Sequence, residues 1–123
     1  MIRLVTLLVR KDGTTHDEFL THWRDVHGPL VRSLSAARYV RRYEQHPAAW
    51  PPEGSNRPEP EYDGVTIQEF DNVESFWAHV REPDNAEMQA DVARFLDPTK
   101  LKWLLCEEPT IVIGEGTGDG PSG

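Results

Sequence analysis

Residues 14–30 read TTHDEFLTHWRDVHGPL, the most informative stretch of the chain. His16, Phe19, Leu20, Trp23 and His27 recur at helical spacing and share roughly one side of a helix. Thr14 or Thr15 can cap it, and Asp17 and Glu18 suit its positive first turn. Gly28 and Pro29 are expected to stop the helix at about His27. That places a titratable ring beside an indole at a helix end.

The flanking segments supply strands. Residues 2–10 form an apolar run with a turn signal after it, Lys11-Asp12-Gly13. Residues 36–46 read as a second strand carrying Tyr39, Val40 and Tyr43. Residues 47–60 are a proline-rich loop without periodicity that retains Trp50. Residues 62–70, YDGVTIQEF, give a third strand. Asp71 or Asn72 caps a second helix whose expected buried side is Phe76, Trp77 and Val80. Another helical run covers 84–96 and breaks at Asp97-Pro98. The last strand is expected within 101–113, most clearly at 110–113. Residues 114–123 are glycine-rich and polar, an expected disordered tail.

The order is β-α-β-β-α-β, an α+β, ferredoxin-like arrangement spanning residues 1–113. Four strands make one antiparallel sheet with the helices on one face. The first strand is apolar on both sides, so the uncovered face would expose a patch that monomers seldom carry. A homodimer packed sheet against sheet is the expected solution.

The chain of 123 residues supports one hydrophobic core and not two. Its net charge of -8 disfavours nucleic acid and anionic membrane surfaces as partners. The apolar N-terminal run is too short to span a bilayer. One cysteine, Cys106, permits no internal disulfide and fits a cytoplasmic setting. Zinc spacing, a phosphate-binding glycine loop, a nucleophile elbow and HExxH are all missing, so neither a metal nor another cofactor is expected.

The segment FLTHWRDVHGPLV resembles the F-x-x-x-W-x-x-x-H-x-P-L signature of EthD-type proteins of the dimeric α/β-barrel superfamily. Phe19, Trp23, His27, Pro29 and Leu30 carry the match. YDGVTIQEFDNVESF is similar to a second family block through Tyr62, Asp63, Gly64 and Phe70. The closing block corresponds to Phe95, Asp97, Glu107 or Glu108 and the last strand. The proline-rich loop and the glycine-rich tail depart from the shorter family pattern. The resemblance implies a ferredoxin-like monomer, a dimeric barrel and a cleft between sheet and helices. EthD itself is associated with degradation of an alkyl ether. Relatives include muconolactone-type isomerases, polyketide cyclases and small monooxygenases, mostly without cofactors.

His27 is the first candidate for chemistry, because imidazole exchanges protons near neutrality. A helix C-terminus would favour its charged form, and Trp23, one turn earlier, can stack on a planar substrate. Alternatively, His27 simply caps the helix. Around a regular helix His22 lies about 140° from His27, so the two rings are not expected to converge. Asp63 can orient His27 or take a proton itself; the alternative is a turn residue bonded to backbone. Glu69 needs a partner if buried, and Arg41 or Arg42 can supply it or bind a substrate carboxylate. Tyr39 and Tyr43, four residues apart on one expected strand face, can donate to an enolate or merely pack. Trp50 can close over a ligand or anchor its loop. Cys106, flanked by Glu107 and Glu108, is a poor nucleophile because nearby negative charge raises a thiol pKa.

These residues support a cofactor-independent isomerase, cyclase or lyase acting by histidine proton transfer on a small hydrophobic carbonyl or lactone compound. Two alternatives remain open at this stage. One is a non-catalytic dimer that binds a hydrophobic metabolite or assists another enzyme. The other is a cofactor-free monooxygenase that begins with the same deprotonation.

Overall fold

The computed structural model describes residues 1–115; most of the expected tail therefore lies outside the described residues. The strands are β1 (Ile2–Leu8), β2 (Arg42–Pro47), β3 (Gly64–Phe70) and β4 (Lys102–Cys106). They form one antiparallel sheet in the order β2-β3-β1-β4. The helices are α1 (His16–His22), α2 (Gly28–Ser33), α3 (Val73–Arg81) and α4 (Asn85–Phe95). This is the expected ferredoxin-like topology.

Register assigns the two faces of the sheet. Thr6 pairs with Thr66 and Trp103, and Leu4 with Gln68 and Leu105, on the side covered by helices. Val5 pairs with Ile67 and Leu104 on the opposite side. The core beneath the helices joins Leu8, Phe19, Trp23, Val92, Phe95 and Leu96. The end of α4 is tied to the chain beyond β1, where Lys11 N–H donates to the Phe95 carbonyl. A bridge between Arg10 and Leu96 reinforces that junction.

Thr15 opens α1 with a reciprocal capping box to Glu18. The helix does not stop at Gly28-Pro29. It widens into a π turn at Trp23–His27 and continues as α2 through Ser33. Pro29 explains the detour. Inside a regular helix its ring would meet the carbonyl four residues back, on Asp25, and its nitrogen has no proton to donate. A wider turn relieves that clash. Gly28 N–H instead reaches the Trp23 carbonyl, five residues back. Gln45 Nε2 from β2 donates to the same oxygen at 2.8 Å.

Two further boundaries and one helix face differ from expectation. The second strand begins at Arg42, because Ser35–Tyr39 forms a 3-10 turn. Asp84 holds that turn by accepting from the Ser35 and Ala36 amides. Tyr39 and Tyr43 therefore do not share a strand face. The last strand is Lys102–Cys106 and not 110–113. Cys106 already pairs with Arg3, one residue from the start of β1, so in this register residues 110–113 lie past the end of β1. Finally, α3 is capped by Asn72 and buries Phe76 and His79, while Trp77 and Val80 are exposed.

Candidate functional site

A cavity of about 380 Å³ lies between the sheet and the helices. Leu4, Thr6, Thr66 and Gln68 contribute from the sheet, and Trp23, His27, His79, Met88 and Val92 from the helical layer. Its wall is mostly apolar with a few polar groups, the usual make-up of a small-molecule site.

Trp23 is buried where it is because Gly64 on β3 leaves room for it. A Cβ at Gly64 would lie 2.7 Å from the indole Cη2. The indole also packs against Phe19, with ring centroids 4.9 Å apart. One turn on, His27 is 6% exposed and leans against Phe95. Its Nδ1 is 2.8 Å from Oδ2 of Asp91 on α4. Asp91 is 1% exposed, and its other oxygen lies 2.9 Å from His22 Nε2. Arg94 reaches that second oxygen at 3.3 Å.

The two histidines therefore converge on one carboxylate, contrary to their spacing on a regular helix. The π turn is the reason. With five residues in the widened turn, positions five apart come to one side. Asp91 is thus the functional candidate that the sequence did not disclose. Its helix looked like ordinary amphipathic cover, and no local signal connects residue 91 to residue 27.

Electrostatics assign the roles. Burial lowers the His27 pKa from its ordinary value, and the Asp91 hydrogen bond and charge offset only part of that. The neutral ring then donates Nδ1–H to Asp91 and keeps a lone pair on Nε2. Burial pushes the Asp91 carboxyl up, but hydrogen bonds from His27, His22 and Arg94 bring it below its usual value. The result is a carboxylate-backed imidazole in the cavity wall. His27 is not at a helix C-terminus, so that source of imidazolium stabilisation does not act on it.

Of the other sequence candidates, Tyr43 lines the same cavity. Burial raises its phenol pKa, against an opposing hydrogen bond from Gln45, so it keeps its proton. Tyr39, Trp50, Arg41 and Asp63 do not line the cavity. Tyr39 lies against the Arg38 guanidinium. Trp50 stacks on His16 with centroids 3.6 Å apart, anchoring the proline-rich loop. Arg41 makes a paired contact with Asp71. Glu69 takes Arg3 as its partner, and Arg42 bonds Glu44.

Asp63 does not orient His27. It is 1% exposed and accepts from the Arg10 amide, the Arg10 guanidinium and His16 Nδ1. It holds together the start of α1 and the entry to β3. Cys106 is a free thiol at the end of β4. Among the described residues no group of three or more His, Cys, Asp or Glu side chains is arranged to hold a metal ion. No helix among them is long and apolar enough to cross a membrane.

Comparison with solved structures gives the same architecture. An EthD family protein from Bacillus halodurans C-125 superposes with a TM-score of 0.66 at 20% identity, covering 89% of this chain and 99% of that one. An EthD-like protein from Ralstonia eutropha JMP134 gives 0.65 at 17% identity, with 93% and 94% covered. A dimeric protein of unknown function with a ferredoxin-like fold, from Bacteroides fragilis NCTC 9343, gives 0.58 at 14% identity, with 87% and 95% covered. No match was found among curated protein sequences. The EthD domain profile matches residues 11–99, which include the capped helix, the π turn with His27 and all of α4 with Asp91; the chain belongs to the EthD domain family.

Proposed function

We propose that this protein is an enzyme that moves a proton on a small hydrophobic carbonyl or lactone compound, with His27 as the base. One observation carries this reading: His27 Nδ1 sits 2.8 Å from a buried carboxylate, in the wall of an apolar cavity. His27 Nε2 takes a proton from the carbon next to the carbonyl, and the electron pair moves onto the carbonyl oxygen as an enolate. Tyr43, kept protonated by burial, donates to that oxygen. The imidazolium returns the proton to a different carbon, completing an isomerisation. In a cyclisation the enolate carbon instead bonds to a second carbonyl carbon of the same molecule and the proton goes to the alkoxide so formed. In an elimination the enolate expels a β-oxygen group, whose C–O bond breaks and which takes the proton. Asp91 holds the tautomer and balances the transient positive ring.

The test is hydrogen–deuterium exchange at the α-carbon of cyclic ketones and unsaturated lactones in D₂O, followed by NMR. Wild-type protein should accelerate exchange. His27→Gln should reduce it by about 10²–10⁴-fold, the range of a general base. Asp91→Asn should cost up to about 10⁴-fold through the wrong tautomer. Exchange unaffected by either change would sink the proposal and leave a binding protein.

The protein is further proposed to act as a homodimer joined through the sheet face opposite the cavity. Val5, Leu7, Val65 and Ile67 are half-buried there, and Leu104 is 65% exposed. The Arg3–Glu69 ion pair and the charged edge residues Arg42 and Glu44 border this stripe. That a Bacteroides fragilis structural neighbour is described as dimeric supports a dimer.

A further inference from the structure

We propose that His79 is a second ligand-recognition residue of the cavity, and that the natural ligand carries a hydroxyl or enol O–H in addition to its carbonyl. This deepens the reading above and rests on the cavity being the ligand site. His79 is 7% exposed on α3 and lines the cavity together with His27. Its Nδ1 is 2.8 Å from the Ala36 carbonyl oxygen. A carbonyl can only accept, so Nδ1 carries a proton, and in the neutral tautomer this leaves Nε2 as the acceptor. No bond from another described residue engages that nitrogen.

The ring is held firmly. Phe70 lies against it with centroids 5.2 Å apart, and Asp84 fixes the turn that carries Ala36. An apolar side chain would fill such a place at lower desolvation cost, and a purely structural donor would need only Nδ1. The cavity wall therefore carries two imidazoles from two different helical segments, each with Nδ1 bonded within the protein. His27, backed by a carboxylate, is suited to removing a proton. His79, whose Nδ1 is bonded to a neutral carbonyl, is suited to accepting a hydrogen bond at Nε2. A ligand with one acidic C–H beside a carbonyl and one O–H satisfies both. Hydroxylated aryl ketones and hydroxylated cyclic enones have that chemistry.

Binding of acetophenone and of 4-hydroxyacetophenone, with the 2- and 3-hydroxy isomers, should be compared by calorimetry. Wild-type protein should bind at least one hydroxylated ketone about tenfold more tightly than the parent, because a site built for a hydroxyl leaves its acceptor unpaired without one. His79→Asn keeps a donor within reach of Ala36 and removes Nε2, so it should keep the fold and lose the preference. His79→Gln, which places an acceptor near the Nε2 position, should restore part of it. His27→Gln should slow proton exchange as above yet retain the hydroxyl preference, so failure of the catalytic reading and failure of this one are separable. Equal binding of parent and hydroxylated ketones by wild type, binding of none of them, or an unchanged preference in folded His79→Asn would overturn the proposal.

Discussion

At the residue scale, one missing side chain shapes the site. Gly64 allows Trp23 to press against β3, and an added Cβ would fall 2.7 and 2.8 Å from two indole carbons. Neither the strand nor the buried ring can give way easily. Gly64→Ala should therefore destabilise the protein by about 1–3 kcal/mol, read as a lower urea midpoint. The buried dyad makes a second prediction, on pH. The folded-state pKa of His27 lies below its ordinary 6.5, so its contribution to stability is complete above that value. It is lost as pH falls through the lowered pKa, because the unfolded chain takes up a proton first. The folded-state pKa of Asp91 lies below 3.8, and its contribution is complete above that value and lost at still lower pH. Chemical denaturation across pH should show stability declining below about 6.5 in the wild type. In His27→Gln that first decline should be smaller; an identical profile would contradict the assignment.

Elements reveal how much of this was legible in the chain. Thr15, Phe19, Trp23 and His27 announce a capped helix with a buried face, and the structure has one. The strands at 2–8 and 64–70 follow from their apolar patterns for the same local reason. What the pattern could not convey was the behaviour of Pro29. A proline after glycine reads as a stop, yet here one widened turn absorbs it and the helix runs on. That single turn also defeats the angular argument separating His22 from His27. Asp91 and His79 were hidden for a different reason: their partners are 64 and 43 residues away, and only tertiary packing joins them. Trp50 and Asp63 look equally chemical in the sequence but join each other's neighbourhood around His16. Gln45 provides a test at this scale. Gln45→Ala removes the amide that bonds the π-turn carbonyl of Trp23, and should cost about 1 kcal/mol. Loss of the wild-type His27 imidazole shifts in NMR spectra would show that the turn had also relaxed.

Across the whole molecule, the two sheet faces differ in what covers them. One carries the cavity and its helical cover. The other presents Val5, Leu7, Val65, Ile67 and Leu104, with charged residues at its margins. Ile67 is central to that stripe and half-buried. Ile67→Lys should shift a dimer toward monomer in sedimentation velocity, since an unpaired ammonium would be taken out of water at the seam. A monomeric wild-type protein would refute the proposed assembly.

The proline-rich loop is fastened at both ends. Trp50 lies flat on His16, and Ala48 N–H donates to the carbonyl of Asp63, so the chain leaves and re-enters the body at nearly one point. Most of residues 51–60 are exposed beyond that clasp, away from the cavity wall. To an engineer this is a handle. A reporter peptide spliced in beside Gly54, or a new pair of chain ends opened there, would hang from the clasp and leave His27 and Asp91 undisturbed.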